Sequence, residues 1–430
     1  MKNRNYLFAI FLLVVVLLLG LCACGKKEAP AATPTKVSAY KSGQGYTELG
    51  DEKLSYAGLD ALPKKYAGMP TDEARQICVD FWYYCKSALW IPDAQYDIYK
   101  EENGVNTLQR SVLSGKTYAG LPYVSNATGN IYRLLDFMDP ETGVVNVEEA
   151  GRYPLIFGGM CSSGCYWAWS RVMNSADYLW THSIVKSRGY LRVGPYTYDD
   201  YLMRFSTDYG THNVVEENGE QVMFQSYAAL QLADGLGYSR SGGVGHIVMC
   251  TGVPQVVYNE DGTINGDESF ILVTDQGATW KDGVSPNGIA YQYESSVDRK
   301  ITFTKLFASC YIPYTFADLI GTEPIEETEV TFSHTGETIT EKQLFSAKVT
   351  SNYNISDIYV YVYDKAGNEV YKHVARAYVP TTRELEVHKL LDKSYTWGTW
   401  DHVSAGDSVK VELFLGTGER FTLWEGKLAQ

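Results

Sequence analysis

The stretch "GGMCSSGCYWAWSRV", residues 158 to 172, decides how the rest of the chain is interpreted. Two glycines precede Cys161, and Cys165 follows one helical turn later within an aromatic run. If a helix begins near Cys161, its backbone N–H groups and macrodipole favour a thiolate there. Cys165 lies one turn deeper, on a face that Ala168 and Val172 continue, which indicates core packing. The stretch therefore predicts a nucleophile at Cys161 and a structural thiol at Cys165.

A cysteine nucleophile needs a base, and histidine titrates nearest to neutral pH. Of the seven histidines, His246 opens the strand-like run "HIVMCTG" after a glycine-rich approach, so its ring can emerge at the end of a sheet. The next such run, "ILVTDQG", ends in Asp275 and Gln276. Their side chains point to opposite faces if the strand continues, so one of them can orient the imidazole.

Three pieces of sequence in this order resemble the NlpC-type family of cell-wall cysteine peptidases, which has a papain-like fold. CHAP amidases are also similar. The resemblance covers roughly residues 115 to 316. It rests on "GLPY" at 120–123, "CSSGCYWAW" at 161–169 and "LQLADGLGYSRSGGVGHIVMCTG" at 230–252. Where the family has a glycine before its Asp-Leu pair, this chain has Ala233.

The resemblance implies a role for each candidate site residue. Cys161 is the implied nucleophile, His246 the implied base, and Tyr123 the tyrosine that the family places beside its cysteine. Asp275 or Gln276 would fill the third position, and no metal or organic cofactor is implied. Because the spacing from the cysteine to the histidine is long, residues 174–225 are expected to hold an insertion.

Two other interpretations of the cysteines remain open. The run "CYWAWS" is similar to the sequence around the papain nucleophile and would make Cys165 the alternative nucleophile, although one inserted residue breaks that register. Alternatively, Cys161, Cys165, His246 and Cys250 have the ligand types of a Cys₃His zinc site. Structural zinc sites usually take their cysteines from tight knuckles, which disfavours the zinc interpretation.

The N-terminal segment "MKNRNYLFAIFLLVVVLLLGLCACGKK" has a basic start and an apolar run of signal-peptide type. Its end resembles a bacterial lipobox, so residues 1–24 are interpreted as a lipoprotein signal peptide with Cys24 as the lipidated residue. An uncleaved membrane anchor is the alternative. Residues 25–50 are rich in Ala, Pro, Thr, Ser, Gly and Lys and predict a flexible tether.

The remaining pattern predicts an α+β fold in two parts. Residues 51–322 would form the papain-like domain, with a helix from Thr71, where Thr71 caps and two acidic residues follow in the first turn. Short strands and turns are expected over 174–225, and "KITFTKLF" is strand-like. After the acidic stretch at 321–329, residues 326–430 alternate in short strands and predict an immunoglobulin-like β-sandwich.

The function expected from these features is a cysteine hydrolase on the outer face of a bacterial membrane, held by a lipid anchor. Peptidoglycan is its expected substrate, cleaved as a stem-peptide endopeptidase or amidase. The alternatives are a non-catalytic glycan- or protein-binding lipoprotein and an acyltransferase or thioesterase with the same Cys-His pair. The net charge of −14 argues against nucleic acid. Most of the six remaining cysteines are expected to be buried free thiols.

Overall fold

A computed structural model describes residues 53–429 apart from 103–104, 126, 152–157, 179, 182–188, 240–244, 278–279, 285–287, 295–296, 378–380 and 389–394. The predicted signal peptide, Cys24 and the tether lie outside the described residues. All described residues belong to one compact unit, Ser38–Gln430. The fold is α+β, as the sequence predicts.

The helices of the described residues are short apart from one of 17 residues. In chain order they are α1 Tyr56–Ala61, α2 Thr71–Ser87, α3 Ile131–Leu135, α4 Val147–Gly151, α5 Cys161–Trp169, α6 Asp200–Phe205, α7 Thr211–Asn218, α8 Glu220–Ala228, α9 Phe303–Ala308, α10 Ala317–Ile320 and α11 Glu341–Ser346, with a 3₁₀ turn at Trp400–His402.

The strands of the first part of the chain are β1 Leu89–Pro92, β2 Tyr96–Glu102, β3 Val105–Val112, β4 Thr117–Ala119, β5 Val144–Val145, β6 Tyr190–Arg192, β7 Gly235–Ser239, β8 Gly245–Cys250, β9 Phe270–Thr274, β10 Trp280–Val284, β11 Ala290–Glu294, β12 Arg299–Thr302 and β13 Ile312–Phe316. Those that follow are β14 Val330–Phe332, β15 Thr338–Ile339, β16 Lys348–Ser351, β17 Ile355–Tyr363, β18 Glu369–Arg376, β19 Glu384–Glu386, β20 Tyr395–Gly398, β21 Ser408–Leu415 and β22 Arg420–Leu428.

A six-stranded antiparallel sheet in the order β12-β9-β8-β7-β13-β6 forms the centre of the first part. Helix α5 packs between strand β8 and helix α2. All nine residues of α5 are buried, so this helix lies inside the core. A second sheet, β10-β11-β4-β1-β5, and the hairpin β2-β3 complete this part.

The C-terminal part contains two sheets, β14-β16-β19 and β15-β22-β21-β17-β18-β20, which share an apolar cluster of their own. The alternation predicted for β17 is confirmed, because Ile358, Val360 and Val362 are buried in this cluster. Tyr359, on the opposite face of the strand, belongs to the larger cluster of the first part. Both faces of β17 are therefore used in packing, which a strand at the surface would not show.

A buried network of charges also joins β17 and β18 to helix α3. Arg133 Nε donates to Asp357 Oδ1 at 3.2 Å, and Arg376 Nη1 donates to the same atom at 2.5 Å. Arg376 Nη2 donates in turn to Asp136, and these four side chains are at most 1% exposed. Burial of charge at this depth is tolerated because each group has a partner of opposite sign.

Three local predictions from the sequence are wrong. Thr71 is the first helical residue rather than the cap, because Pro70 occupies the cap position, whereas Asp72 and Glu73 do lie in the first turn. The described residues of 174–225 hold one short strand and then mainly the helices α6, α7 and α8. The run "KITFTKLF" leaves its strand at Thr302, whose hydroxyl caps helix α9 by accepting from Lys305 N.

The cysteine prediction is confirmed for five of the six cysteines that the structure describes. Cys78, Cys85, Cys161, Cys165 and Cys250 are buried free thiols, and Cys310 is half-buried. Among the helices of the described ranges, none has the length and apolar character needed to cross a membrane.

Candidate active site

Cys161 is the first residue of helix α5, and the two glycines before Met160 pack against the segment that contains Pro122 and Val124. Gly159 N donates to Pro122 O at 3.0 Å, and Val124 N donates to Gly159 O at 3.0 Å. A Cβ atom on Gly158 would lie 2.4 Å from Val124 Cγ2, so a larger residue would push the two segments apart. The glycine pair thus holds the "GLPY" segment against the start of the helix.

The first turn of α5 is fixed by its own side chains. Met160 N donates to Ser163 Oγ at 3.0 Å, and that hydroxyl in turn donates to Ala127 O at 3.0 Å. Ser162 Oγ and Tyr178 Oη are 2.9 Å apart and hydrogen-bonded. These bonds hold Cys161 at the helix N-terminus, with the thiol in a recess where only 5% of the residue is exposed.

Helix α5 lies unusually close to helix α2 at Gly164. A Cβ atom there would be 2.3 Å from Cη2 of Trp82, so only glycine fits without displacement of the indole. Trp82 Nε1 donates to Thr274 O at 3.2 Å, at the end of strand β9. The indole therefore connects α2, α5 and β9. Helix α5 carries Cys161, and β9 ends directly before Asp275 and Gln276.

His246 is the second residue of β8, and its register on the neighbouring strand explains its partner. Met249 on β8 pairs with Thr274 on β9, so a continued ladder would set Asp275 opposite Val248. Val248 and His246 lie on the same face of β8, so Asp275 would be the diagonal neighbour of His246 on that face. Nε2 of His246 is hydrogen-bonded to Oδ2 of Asp275. Asp275 is the residue that the structure brings to His246.

His246 also interacts with Cys161, so three side chains act on one another in this site. Burial of the imidazole lowers its pKa, but the hydrogen bonds and charges of Asp275 and Cys161 outweigh burial and raise the pKa to about 10. The histidine side chain is 22% exposed and the aspartate side chain 3% exposed. At neutral pH the imidazole is therefore protonated and faces both groups as a cation.

Gln276 lies on the opposite face of the β9 extension and has different partners. Lys86 Nζ, on helix α2, donates to Oε1 of Gln276, and Gln276 Nε2 donates to Leu121 O at 2.5 Å. Lys86 is 1% exposed, with Nζ 4.7 Å from the centroid of the Trp82 ring. Gln276 thus ties the "GLPY" segment to the sheet.

Tyr123 is half-buried and pairs through its backbone with Gly159, two residues before Cys161. The tyrosine named by the resemblance is therefore in the segment next to the start of α5. Gly120, which begins this segment, has φ +75, and a Cβ on it would lie 2.6 Å from Cys85 O. The close approach to the end of α2 explains why glycine stands there.

Two residues near the site had no signal in the sequence. Arg299, at the start of β12, donates from Nη2 to Asp275 Oδ2 at 3.2 Å, and its side chain is 37% exposed. Burial raises the pKa of the Tyr311 phenol, and the charges of Asp275 and Cys161 raise it further, whereas Arg299 lowers it. Both come from elements distant in sequence, so only the sheet order reveals them.

The other cysteines of this region lack the contacts of Cys161. Cys165 is fully buried, and burial raises the pKa of its thiol well above the usual range. Cys250 Sγ donates to Gly252 O at 3.1 Å, and burial also raises the pKa of that thiol. Within the described ranges, no group of three or more His, Cys, Asp or Glu side chains is arranged to hold a metal ion.

No protein-family model matches this chain, and no curated protein matches it significantly.

Proposed function

We propose that this protein is a cysteine hydrolase in which Cys161 is the nucleophile and His246 the acid–base group. The observation that carries the proposal is the grouping of three side chains, in which His246 is hydrogen-bonded to Asp275 and interacts with Cys161. A nucleophile, a base within hydrogen-bond reach and a third group that orients the base are what covalent catalysis needs. The protonated imidazole beside Cys161 supports the assignment of these two residues as the reacting pair.

In the first half of the proposed reaction, Cys161 Sγ attacks the carbonyl carbon of an amide. The C–S bond forms, and the negative charge that develops on the carbonyl oxygen is stabilised by N–H groups of the first turn of α5. Tyr123 is the side chain we assign beside them. His246 then gives its proton to the amide nitrogen, the C–N bond breaks and the amine leaves.

In the second half, water resolves the thioester. His246, now neutral, takes a proton from water as the oxygen attacks the thioester carbon. The C–S bond breaks, which releases a carboxylic acid and restores the thiolate of Cys161 beside the imidazolium of His246. Asp275 keeps Nε2 of His246 hydrogen-bonded through both halves. The other ring nitrogen, Nδ1, therefore gives the proton in the first half and receives one in the second.

We propose a papain-like, NlpC-type fold for the first part of the chain. A buried helix that begins with Cys161 and packs on an antiparallel sheet that carries His246 supports this proposal. For residues 326–430 we propose an immunoglobulin-like sandwich, supported by two sheets around one apolar cluster.

The proposed substrate is an amide bond of peptidoglycan stem peptides, and the proposed location is the outer face of a bacterial membrane. The resemblance to cell-wall peptidases and the lipobox-like Cys24 support both. A lipid anchor would hold the chain next to the wall, and the net charge of −14 disfavours nucleic acid as a partner.

The first test is iodoacetamide labelling of the full-length chain in detergent between pH 5 and pH 9, mapped by peptide mass. Cys161 should label at pH 6, where an ordinary thiol is almost entirely protonated. His246→Ala should slow that labelling, and Cys165→Ser should leave it unchanged. Labelling of Cys161 that ignores His246 and rises only at alkaline pH would refute the Cys-His pair.

The second test is digestion of purified peptidoglycan, with released fragments identified by mass. Wild-type and Cys165→Ser chains should release fragments cut at an amide bond, whereas Cys161→Ser should lose at least about 10³-fold in rate. Addition of an amine acceptor separates hydrolysis from acyl transfer, because transfer would give an amide product. Unchanged function of Cys161→Ser would support a binding protein instead.

A further inference from the structure

The C-terminal part contains a cavity that is separate from Cys161 and His246. Its volume is about 410 Å³, within the roughly 300–1,000 Å³ typical of ligand pockets. It is formed where helix α11, strands β18 and β20 and the 3₁₀ turn at Trp400–His402 meet. Phe345, Tyr371 and Trp400 contribute rings to it from three of these elements.

These three rings form a rigid aromatic surface. Tyr371 and Trp400 meet edge to face with centroids 4.8 Å apart, and Phe345 lies 5.3 Å from Trp400. Tyr371 is buried, whereas Phe345 and Trp400 are half-buried, so part of their surface faces the cavity. Packed rings of this kind bind a partner at low entropic cost because they are already ordered.

The floor of the cavity beside these rings is uncharged. His373 is 2% exposed, and its Nε2 donates to Val387 O at 3.0 Å, which assigns the proton to that nitrogen. Burial lowers the pKa of His373 to about 4, so the ring is neutral at physiological pH. A neutral floor disfavours recognition of a ligand through a full charge.

The rim of the cavity is polar and carries both signs of charge. Glu341 and Lys342 are exposed at the start of α11, and Thr396 is exposed on β20. A cationic ligand would meet the ammonium of Lys342, and an anionic ligand would meet the carboxylate of Glu341. The rim therefore offers hydrogen-bond donors and acceptors together and selects neither kind of ion.

We propose that this cavity binds a neutral saccharide unit. A pyranose ring presents a C–H face that packs on aromatic side chains, and its hydroxyl groups both donate and accept hydrogen bonds. Phe345, Tyr371 and Trp400 supply the surface for the first property, and Glu341, Lys342 and Thr396 supply the partners for the second. This site does not depend on the proposed chemistry of Cys161, and it would let the protein hold a glycan without cleaving it.

The test uses triacetylchitotriose and maltotriose as uncharged probes and tetramethylammonium chloride as a cationic probe. Binding to the full-length chain is measured by saturation-transfer NMR and calorimetry. At least one trisaccharide should bind, and Trp400→Ala and Phe345→Ala should each weaken that binding at least about 10-fold. Phe205→Ala, which removes a 71% exposed ring elsewhere in the chain, is the matched control and should change nothing.

Rim variants keep the test decisive if an aromatic variant fails to fold. Glu341→Gln and Thr396→Val change exposed side chains and should weaken trisaccharide binding about 3-fold or more without loss of the unfolding transition. The proposal is overturned if neither trisaccharide binds, if only tetramethylammonium binds, or if all four variants bind as tightly as wild type. Loss of binding in Cys161→Ser would also contradict it, because the two sites are separate.

Discussion

Nε2 of His246 is hydrogen-bonded to Oδ2 of Asp275, so Nδ1 is the ring nitrogen that remains to meet Cys161. An imidazole held at both nitrogens has one orientation and one direction of proton transfer. Arg299 donates to the same oxygen of Asp275 and helps to keep that carboxylate in place. The site is therefore organised around Asp275, a residue that touches neither the thiol nor the leaving group in the proposed mechanism.

Replacement of Asp275 should separate its effect from that of Gln276. Asp275→Ala removes the main hydrogen bond that raises the pKa of His246, so the imidazolium is less populated near neutral pH. We expect iodoacetamide labelling of Cys161 at pH 6 to slow about 10-fold or more, since one pKa unit corresponds to a tenfold change. Asp275→Asn should label at a rate between those of wild type and Asp275→Ala, because its amide oxygen still accepts a hydrogen bond.

The matched control for this prediction is Gln276→Ala. Gln276 bonds to Lys86 and to Leu121 O, so its loss should lower stability more than it changes the pH dependence of labelling. Equal effects of Asp275→Ala and Gln276→Ala on the labelling profile would contradict the assignment of Asp275 as the orienting residue.

The stability of the protein should fall as His246 loses its proton. The pKa of His246 is raised from 6.5 to about 10 in the folded chain, so the native state binds this proton more tightly than the unfolded state. The contribution is fully present below about pH 6.5 and is lost as the pH rises towards 10. Urea unfolding at several pH values should show this decline, and His246→Gln should flatten it. An identical pH dependence in both chains would be the contrary result.

Gly164 should tolerate no side chain because it faces the indole of Trp82. Gly164→Ala places a methyl group 2.3 Å from Cη2 of Trp82, and we expect a loss of about 1–3 kcal/mol in the free energy of unfolding. Cys161 labelling should slow too, since α5 must shift. Gly210→Ala is the control, because its nearest neighbour atom lies 3.6 Å away. If Gly164→Ala unfolds at the same urea concentration as wild type, the close contact between α5 and the indole of Trp82 is refuted.

Part of the candidate site could be predicted from short stretches of sequence because its determinants are local. A helix start at Cys161 follows from the two glycines and the aromatic run, and the alternation of strand residues sets Asp275 and Gln276 on opposite faces. Only the register of β8 and β9 in the structure assigns the face of His246 to Asp275. Arg299 and Lys86 could not be found in this way. They reach Asp275 and Gln276 through the order of the strands and the packing of α2, which no local pattern encodes.

The wrong expectations have local causes as well. Residues 174–225 contain aromatic and polar residues in short runs, which favoured strands and turns, yet Asp199 caps helix α6 by accepting from Leu202 N at 2.9 Å. That capping aspartate was the signal for a helix. Similarly, Thr302 caps α9 within a run of β-branched residues, so the cap outweighed the strand propensity.

Ala233 has a backbone conformation that favours glycine. Its φ is +62, in the left-handed region, where a Cβ atom costs about 1–2 kcal/mol. Ala233→Gly removes this strain together with a fully buried methyl group. Ala88→Gly removes an equally buried methyl at φ −62, where no strain is relieved. Ala88→Gly should therefore be the more destabilising by about 1–2 kcal/mol in urea unfolding. Equal losses would show that Ala233 is not strained.

Asp357 should be essential to the stability of both parts of the chain because it neutralises two buried arginines. Asp357→Ala leaves Arg133 and Arg376 without their shared carboxylate in a site at most 1% exposed, and we expect a loss of about 3–5 kcal/mol. Lys348→Ala, which breaks an ion pair whose side chains are 51% and 60% exposed, should cost less than about 1 kcal/mol. Because Arg133 lies before residue 322 and Asp357 after it, Asp357→Ala should also uncouple the unfolding of the two parts. One unchanged, single urea transition would contradict this role.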